Sequence, residues 1–233
     1  MPADGDRGGA DALRGASVVV LAVPVAALRS VAGGVLAAID RQTVVLHVCG
    51  LQGQGALGLD DATHERLIGT HPLAGSHESG FPASRPDLFL GATVSIEQRA
   101  SAHVRRRAEL LWRTVGAARI EYHTADQHDR LMAWVSHLPQ LASTALAATL
   151  AASDAEPQSV GPGARDATRL AASAIDQWIH LLSGAPADLA TALRRLEDTI
   201  ASLRDSLERG DRERLLAIWN AGREWRQKAE RRA

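Results

Sequence analysis

Apolar residues in the first half of the chain occur in short continuous runs, which predict strands buried on both faces of a sheet. Residues 17–23 and 43–48 are two such runs, both rich in Val, and continuous β-branched runs are typical of parallel strands. Between them, residues 25–39 carry apolar side chains at helical spacing, and Pro24 separates this segment from the first run. Strand, helix and strand in this order predict a βαβ unit.

A long loop and further strands follow this unit. Residues 69–90 are dense in Pro, Gly, Ser and His, and a loop of that length inside a compact domain is usually functional or disordered. Residues 92–97 and 118–122 then predict two more strands, and residues 101–116 predict an amphipathic helix. The first half of the chain is therefore expected to be an α/β region.

The second half carries only helical patterns. Residues 125–152 predict one long helix that Pro139 should kink, because proline removes a backbone hydrogen bond. Residues 141–151 are apolar nearly all round, which is typical of a helix buried in a bundle or a subunit interface. Further helices are predicted near residues 165–182, 187–209 and 211–231. The predicted division is a flexible lead-in over residues 1–16, an α/β region over residues 17–123 and an all-α region over residues 124–233.

Composition and charge narrow the possible partners. The formal net charge is −1 at pH 7, so no overall charge favours nucleic acid or a membrane surface as a partner. The longest apolar run, residues 18–28, contains Pro24 and is too short to span a bilayer. Cys49 is the only cysteine, which favours a reducing compartment. Together these features predict a cytoplasmic protein.

Two histidines are candidates for chemistry. His71 lies among Pro and Gly residues at the place where open α/β sheets bind ligands, and a neutral imidazole there is suited to accept a proton. The alternative is a histidine that only orders its loop. His137 lies two residues before Pro139 in an apolar helix, where a polar ring needs a hydrogen-bond partner. That partner is either part of the core or a bound ligand.

Two arginines form a third candidate. Arg165 and Arg169 are four residues apart near a helix start marked by Gly and Pro, so they share one helical face. Guanidinium groups at such a position are suited to bind a carboxylate, and an ion pair with a nearby acid is the alternative. The spacing of the nine histidines matches no zinc site, so no metal is expected.

Four separated segments, in this order, resemble the prephenate/arogenate dehydrogenase family of tyrosine biosynthesis. Residues 21–24 read L-A-V-P, and residues 71–92 closely follow the pattern H-P-(M/L)-A-G-S-x-x-S-G-F…D-L-F-x-G-A. Residues 128–139 contain H-D and V-S-H-L-P, and residues 163–173 follow G-F-R-D-x-T-R-(L/I)-A-x-S with Ala164 at the aromatic position. The resemblance covers about residues 14–233.

The resemblance implies an activity and roles for individual residues. The family converts prephenate or arogenate with NAD or NADP to 4-hydroxyphenylpyruvate or tyrosine and CO₂. It implies that His71 is the catalytic base at the C4 hydroxyl of the substrate. It also implies a Rossmann-like nucleotide-binding region followed by a helical region that forms a homodimer. The remaining implied roles are substrate binding by Ser76, His137, Arg165 and Arg169, and cofactor binding by Val23, Pro24 and Gly50.

The chain departs from the family pattern at two places. No G-x-G-x-x-G segment, which grips the cofactor pyrophosphate in this fold, precedes Val18. The sheet is therefore expected to be partial, truncated at its N-terminal side, with an open edge. The family pattern D-x-x-S-V-K reads His47-Val48-Cys49-Gly50-Leu51-Gln52 here, so Gly50 replaces a Ser and Gln52 a Lys.

These departures leave three interpretations. The first is a dehydrogenase whose true start lies upstream. The second is a non-catalytic relative that binds a ligand or a partner subunit through its helical region. The third is another oxidoreductase of the Rossmann-plus-helical kind with a different acid substrate.

Overall fold

The first half of the chain folds into one five-stranded sheet flanked by helices. In this computed structural model, the described residues are 13–75, 84–154, 156–184 and 186–231, without the side chains of residues 157 and 177. The strands are β1 (Val18–Leu21), β2 (Val44–His47), β3 (Leu67–Pro72), β4 (Thr93–Glu97) and β5 (Arg119–His123). The helices among them are α1 (Val25–Ala38), α2 (Gln54–Leu57), α3 (Asp61–Arg66) and α4 (Ala102–Thr114).

The strands are ordered β1-β2-β3-β4-β5 across the sheet. The first three run parallel, β4 runs antiparallel to β3, and β5 runs parallel to β4. The predicted βαβ unit is confirmed, with α1 connecting β1 to β2. In the described part of the chain β1 pairs on one side only, so it is an edge strand there. The predicted fold class, a Rossmann-like α/β sheet followed by helices, is confirmed.

Two apolar clusters cover the two faces of the sheet. Alternate residues of β2 point to opposite faces, so Val45 joins a cluster with Leu28 of α1, whereas Leu46 joins a cluster with Trp112 of α4. Leu28 and Leu46 are fully buried, and burial of one such side chain contributes about 1.5–3 kcal/mol. Helices on both faces leave the ends of the strands as the open positions for a site.

The strand β3 corrects the predicted loop. Residues 69–90 were expected to form a continuous loop from Gly69, but Leu67–Pro72 is a strand, so His71 lies on the sheet. The two residues before it are tied to the neighbouring strands: Gly69 N–H donates to Glu97 Oε2 of β4 at 3.2 Å, and the Thr70 hydroxyl donates to the His47 carbonyl oxygen of β2 at 3.0 Å. The apolar stretch before Gly69 is too short to predict strand β3 from the sequence. Much of the rest of the predicted loop, residues 76–83, lies outside the described residues.

The predicted long helix over residues 125–152 is interrupted before Pro139. It consists of α5 (Ala125–Met132), a π-helical turn (Ala133–His137) and α6 (Leu138–Ala151). Thr124 begins α5 with a capping box, accepting from Gln127 N–H while the Gln127 side chain accepts from Thr124 N–H. The π turn ends directly before the turn that contains Pro139, whose nitrogen has no hydrogen to donate to the preceding turn.

Shorter elements follow, so one predicted helix becomes several. The helix expected over residues 165–182 is divided into α7 (Pro162–Thr168), a 3₁₀ helix (Arg169–Ala172) and α8 (Ile175–Gly184). A further 3₁₀ turn (Pro157–Ser159) precedes α7.

The last two helices, α9 (Pro186–Arg209) and α10 (Arg212–Glu230), agree with the predicted ranges. The chain divides into two compact units, residues 1–186 and 187–233. In the second unit Gly210 turns the chain with a φ of +66°, and Asp211 caps α10 by accepting from Arg214 N–H at 3.0 Å. No helix in the described ranges is both long and apolar enough to cross a membrane. The predicted domain boundary at residue 124 stays a prediction.

Candidate active site

The carboxyl ends of β2 and β3 form the edge of the sheet at which the candidate residues meet. Because these strands run parallel, His47 and His71 lie near the same edge. The hydrogen bond from Thr70 to the His47 carbonyl oxygen ties the two strands together there. Open α/β sheets bind ligands outside the carboxyl ends of their strands, so this edge is the candidate active site.

Three side chains form a continuous hydrogen-bonded series at this edge. His71 Nδ1 lies 3.0 Å from His128 Nε2, and His128 Nδ1 lies 2.8 Å from Asp129 Oδ1. His71 comes from β3, whereas His128 and Asp129 are consecutive residues of α5. The rings of His71 and His128 meet edge to face, with centroids 5.2 Å apart. We call these three residues the His–His–Asp series.

Backbone amides anchor the acidic end of the series. Gln52 N–H donates to Asp129 Oδ1 and Gly53 N–H donates to Oδ2, both at 2.9 Å. A Cβ at position 53 would lie 3.0 Å from Oδ2, so glycine permits this close approach. His128 is fully buried and Asp129 is 7% exposed. A buried carboxylate needs partners, and Asp129 has three donors within reach.

Burial sets the protonation state of His71 and His47. It is the main cause that lowers the pKa of His71 to about 3, and the negative charge of Asp129 opposes it. Smaller lowering contributions come from His128, His137 and His47. Burial likewise lowers the pKa of His47 to about 3, and its Nδ1 accepts from Cys49 N–H at 3.3 Å. His71 is therefore neutral near pH 7, which leaves one ring nitrogen able to accept a proton.

The π turn brings His137 to the same region. Its side chain is 2% exposed, and its Nδ1 has no hydrogen-bond partner in the described part of the molecule. Burial is the main cause that lowers the pKa of His137. The charge of Asp129 raises this pKa, and His128 lowers it further. His71, His128 and His137 therefore influence one another electrostatically. The ring meets Trp178 edge to face at 6.1 Å. A buried nitrogen without a partner is a position where a polar ligand is expected.

The three residues predicted to bind the cofactor lie at the ends of β1 and β2. A Cβ at Gly50 would lie 3.7 Å from His71 Cε1 and 3.1 Å from Leu181 Cδ2, so Gly50 adjoins His71. Pro24 occupies the N-cap of α1. The Val23 carbonyl oxygen lies 3.6 Å from Cys49 Sγ, which links the ends of β1 and β2.

The remaining predicted substrate residues are not brought to the histidines by any described contact. Arg165 lies in α7 and Arg169 begins the following 3₁₀ helix, and both are exposed. No hydrogen bond or ion pair within the described residues joins either arginine to His71 or His137. Ser76 lies outside the described residues.

The sequence interpretation missed two members of the series. His128 and Asp129 form the H-D part of a motif, but the sequence alone assigns no role to either residue. An available signal was the pair of adjacent ionisable residues in the first turns of a helix that follows a strand. The contact between Asp129 and Gln52 could not be predicted from a local sequence pattern, because the two residues lie 77 positions apart.

A literal G-x-G-x-x-G occurs after β2, at residues 53–58, and it does not form a phosphate grip. A dinucleotide fingerprint opens a full helix directly after a strand, whereas α2 has four residues. Gly53 instead donates to Asp129, and Gly58 ends α2 with a φ of 63°. These glycines therefore serve the turn and the Asp129 contact.

Metal binding finds no support at this edge. Among the residues that the structure describes, no group of three or more His, Cys, Asp or Glu side chains is arranged to hold a metal ion. The imidazoles of His71 and His128 are directed at each other.

Two family models match the chain. The nucleotide-binding domain of prephenate dehydrogenase matches residues 3–117, and the dimerization domain of prephenate dehydrogenase matches residues 124–221. The two matches follow the order of the sheet and the helices.

Individual proteins agree with these matches. The chain is 30% identical over 209 residues to the cyclohexadienyl dehydrogenase of Zymomonas mobilis, covering 82% of this chain and 70% of that protein. It is 32% identical over 167 residues to a probable prephenate dehydrogenase, NovF, of Streptomyces niveus, covering 65% of this chain but 42% of that protein. Prephenate dehydrogenase of A. aeolicus, solved with hydroxyphenyl propionate and NAD⁺, shares the fold with a TM-score of 0.85 at 23% identity, covering 97% of this chain and 80% of that one.

Proposed function

Because the chain belongs to the prephenate dehydrogenase family, we propose that it oxidises and decarboxylates prephenate or arogenate with NAD(P)⁺. One observation carries the proposal: neutral His71 stands at the carboxyl edge of the sheet, with Nδ1 held by His128. His71 Nε2 makes no hydrogen bond to any described residue. The unpartnered Nδ1 of His137 lies in the same region, so the edge offers a base and a second polar contact.

His71 has a defined task in this reaction. As hydride leaves C4 of the substrate, positive charge develops at that carbon, and transfer of the C4 hydroxyl proton to His71 Nε2 stabilises it. Loss of the ring carboxylate as CO₂ then restores an aromatic ring. The ring oxygen takes the proton back from His71 and becomes the phenol hydroxyl, so the protein ends in its starting state.

The residues present fit the reactive end of the nucleotide cofactor. When bound, NAD(P)⁺ supplies the hydride acceptor. Val23 and Pro24 at the end of β1, and Gly50 at the end of β2, would hold it. The closeness of Gly50 to His71 supports this role for Gly50. The choice between NAD and NADP is set by a residue that contacts the ribose, and the assay below distinguishes them.

Binding of the substrate carboxylates is assigned to the remaining predicted residues. Arg169, with Arg165 beside it, would bind a carboxylate, since a guanidinium and a carboxylate form paired hydrogen bonds. Ser76 and His137 would add neutral hydrogen bonds. The exposure of both arginines supports access to a ligand, and Arg169→Gln should raise the KM more than Arg165→Gln does.

The helical region is proposed to form a homodimer. The dimerization-domain match over residues 124–221 supports this, as do the large apolar side chains exposed on α10. A cytoplasmic location is proposed with it, supported by the single, unpaired Cys49.

Turnover measurements test the proposed activity. The protein is mixed with prephenate or arogenate and NAD⁺ or NADP⁺, and absorbance of the reduced nicotinamide is followed. His71→Ala should lower kcat by about 10²–10⁴-fold, the usual contribution of a general base. His103→Ala removes an exposed histidine of α4 and is the matched control. Unchanged turnover in His71→Ala would remove His71 from the mechanism.

A non-catalytic relative is the second candidate, and the departures at residues 50 and 52 favour it. Gln52 is fully buried, and its side-chain amide has no hydrogen-bond partner among the described residues. This candidate predicts that the protein binds hydroxyphenyl propionate but does not turn over either substrate. Restoration of turnover by Gly50→Ser would identify that position as the cause. Leu181→Ala should accompany it, because a Cβ at residue 50 would press on Leu181.

A further inference from the structure

We propose that His128 and Asp129 are positioning residues that together set the ring tautomer of His71, and that His128 takes up the Nδ1 proton of His71 during the reaction. This inference rests on the proposed function, since the proton comes from the substrate. It concerns residues that do not touch the substrate themselves: His128 lies behind His71, and Asp129 lies behind His128.

The hydrogen bonds of Asp129 determine the direction of the series. Its carboxylate only accepts, and two backbone amides hold both of its oxygens. His128 therefore donates from Nδ1 to Asp129, and we take His128 as neutral before the substrate proton arrives, so that its Nε2 is an acceptor. His71 then donates from Nδ1 to His128 and keeps Nε2 without a proton. Nε2 is the nitrogen that the reaction needs, because it faces away from the series.

Charge explains why one histidine alone is a poor base at this place. His71 has a pKa of about 3 because burial disfavours its charged form. When Nε2 accepts the substrate proton, the proton on Nδ1 can pass to His128 Nε2. The positive charge then lies on His128, 2.8 Å from the Asp129 carboxylate, where Coulomb attraction is strong in a low-dielectric interior. The other ionisable groups facing this pair are His47 and His137.

The proton balance is closed. The bond from the C4 hydroxyl oxygen to hydrogen breaks as Nε2 of His71 gains that hydrogen, and Nδ1 of His71 loses its own to Nε2 of His128. Asp129 stays ionised throughout. After CO₂ leaves, both transfers reverse and the phenol oxygen regains a proton. Burial of His128 and Asp129 keeps the transferred proton from water between the two steps.

Histidine NMR tests the tautomer without any need for turnover. The full chain is labelled with ¹⁵N in its histidine rings and studied at neutral pH, with assignments from single His variants. His71 should carry its proton on Nδ1, and added hydroxyphenyl propionate should perturb the Nε2 signal. Asp129→Asn should mix the tautomers of His71 and His128. Asp126→Asn, at an exposed position of the same helix, should leave them unchanged. A His71 ring protonated on Nε2, or one indifferent to Asp129→Asn, overturns the proposal.

Kinetics separates proton uptake from positioning alone. In His128→Gln the amide oxygen can still accept from His71 Nδ1, but it cannot take a proton. We expect kcat to fall about 100-fold, within the range of acid–base contributions, with little change in KM. Asp129→Asn should move the acidic limb of kcat/KM to lower pH, because Asp129 raises the pKa of His71. Near-normal kcat in His128→Gln would limit the pair to positioning and overturn the proton-uptake claim.

The outcomes for the two proposals are distinguishable. If wild-type protein turns over neither substrate, the proposed function fails, and the NMR result alone decides whether the series sets the tautomer of His71. If turnover requires His71 while the His128 and Asp129 variants behave as the Asp126→Asn control does, the proposed function stands and the positioning pair is wrong.

Discussion

The edge of the sheet around His71 and the last two helices depart from the usual distribution of residues in opposite ways. At the sheet edge polar side chains are buried: His128, His137 and Asp129 are 0%, 2% and 7% exposed. On α10 apolar side chains are exposed: Trp219 and Trp225 are 70% and 68% exposed. Buried polar groups and exposed large apolar groups are the informative exceptions in a folded protein.

The difference suits the two regions to two kinds of partner. At the sheet edge, backbone amides and neighbouring strands hold the polar groups in place before any ligand arrives, as is common for small-molecule sites. The buried Nδ1 of His137 has no hydrogen-bond partner among the described residues, so it is free to bind a polar ligand group. The apolar surface of α10 offers aromatic side chains of the kind that dominate protein–protein interfaces. The first region is thus suited to a small polar ligand and the second to another protein surface.

The largest expected effect tests the second region. Trp219→Glu combined with Leu216→Glu should convert a dimer to monomers, since each loss of a buried interface anchor costs about 2–4 kcal/mol. Together they should raise the dimer dissociation constant about 1000-fold or more, at about 1.4 kcal/mol per tenfold change. Light scattering after size-exclusion chromatography measures the mass across a dilution series.

Arg223→Glu is the control for this pair, because it changes the charge of the same helix at an exposed position. Circular dichroism should show equal helix content in all three proteins. A double variant that remains dimeric would show that this surface is not the dimer interface. The exposed apolar side chains of α10 would then not mark a protein-binding surface.

The second prediction concerns stability and pH at the sheet edge. His47 has a pKa of about 3 when folded and an ordinary value of 6.5 when unfolded, so the unfolded state binds more protons between these values. The folded state is therefore favoured above pH 6.5 and loses stability as pH falls towards 3. The loss is about 1.4 kcal/mol per pH unit for one histidine within that window. His71 should contribute in the same direction, since its pKa is also lowered.

Urea unfolding at pH 6.5 and pH 5.5 measures this slope. His47→Asn should reduce the difference in unfolding free energy between the two pH values by about 1 kcal/mol. The reason is that Asn Oδ1 can still accept from Cys49 N–H but does not titrate. Equal slopes for the wild type and His47→Asn would mean that His47 becomes protonated in the folded protein.

Sequence patterns predicted the elements with strong periodicity and the residues named by motifs. The runs that became β1 and β2 are apolar and β-branched, and His71 and His137 were marked by their Pro and Gly neighbours. β3 was missed because its Gly69 and Thr70 are buried for reasons that depend on Glu97 and His47. The role of Asp129 was missed for the same physical reason: its partners are backbone amides distant in sequence, which no local pattern reveals.

A further effect on stability is expected from the close approach of α8 to Leu51. A Cβ at Gly184, the last residue of α8, would overlap Leu51 Cδ1 and lie 3.3 Å from Ala56 Cβ. Leu51 is fully buried and cannot move aside without cost. Gly184→Ala should therefore lower the free energy of unfolding by about 1–3 kcal/mol, as overpacking does. If the overlap is the cause, the double variant Gly184→Ala with Leu51→Ala should be less destabilised than the sum of the two single variants.

The smallest expected effect is an increase in stability, from Gly33→Ala, and this variant is the control for Gly184→Ala. Gly33 lies in the interior of α1, it is exposed, and a Cβ there would meet nothing within 4 Å. Gly33→Ala should raise the free energy of unfolding by about 0.5–1 kcal/mol, because alanine loses less backbone entropy in a helix. Thermal and urea unfolding of the two alanine variants, measured together, should move in opposite directions from the wild type. A destabilised Gly33→Ala variant would mean that another surface covers α1 at this position. The solvent exposure of Gly33 would then be wrong.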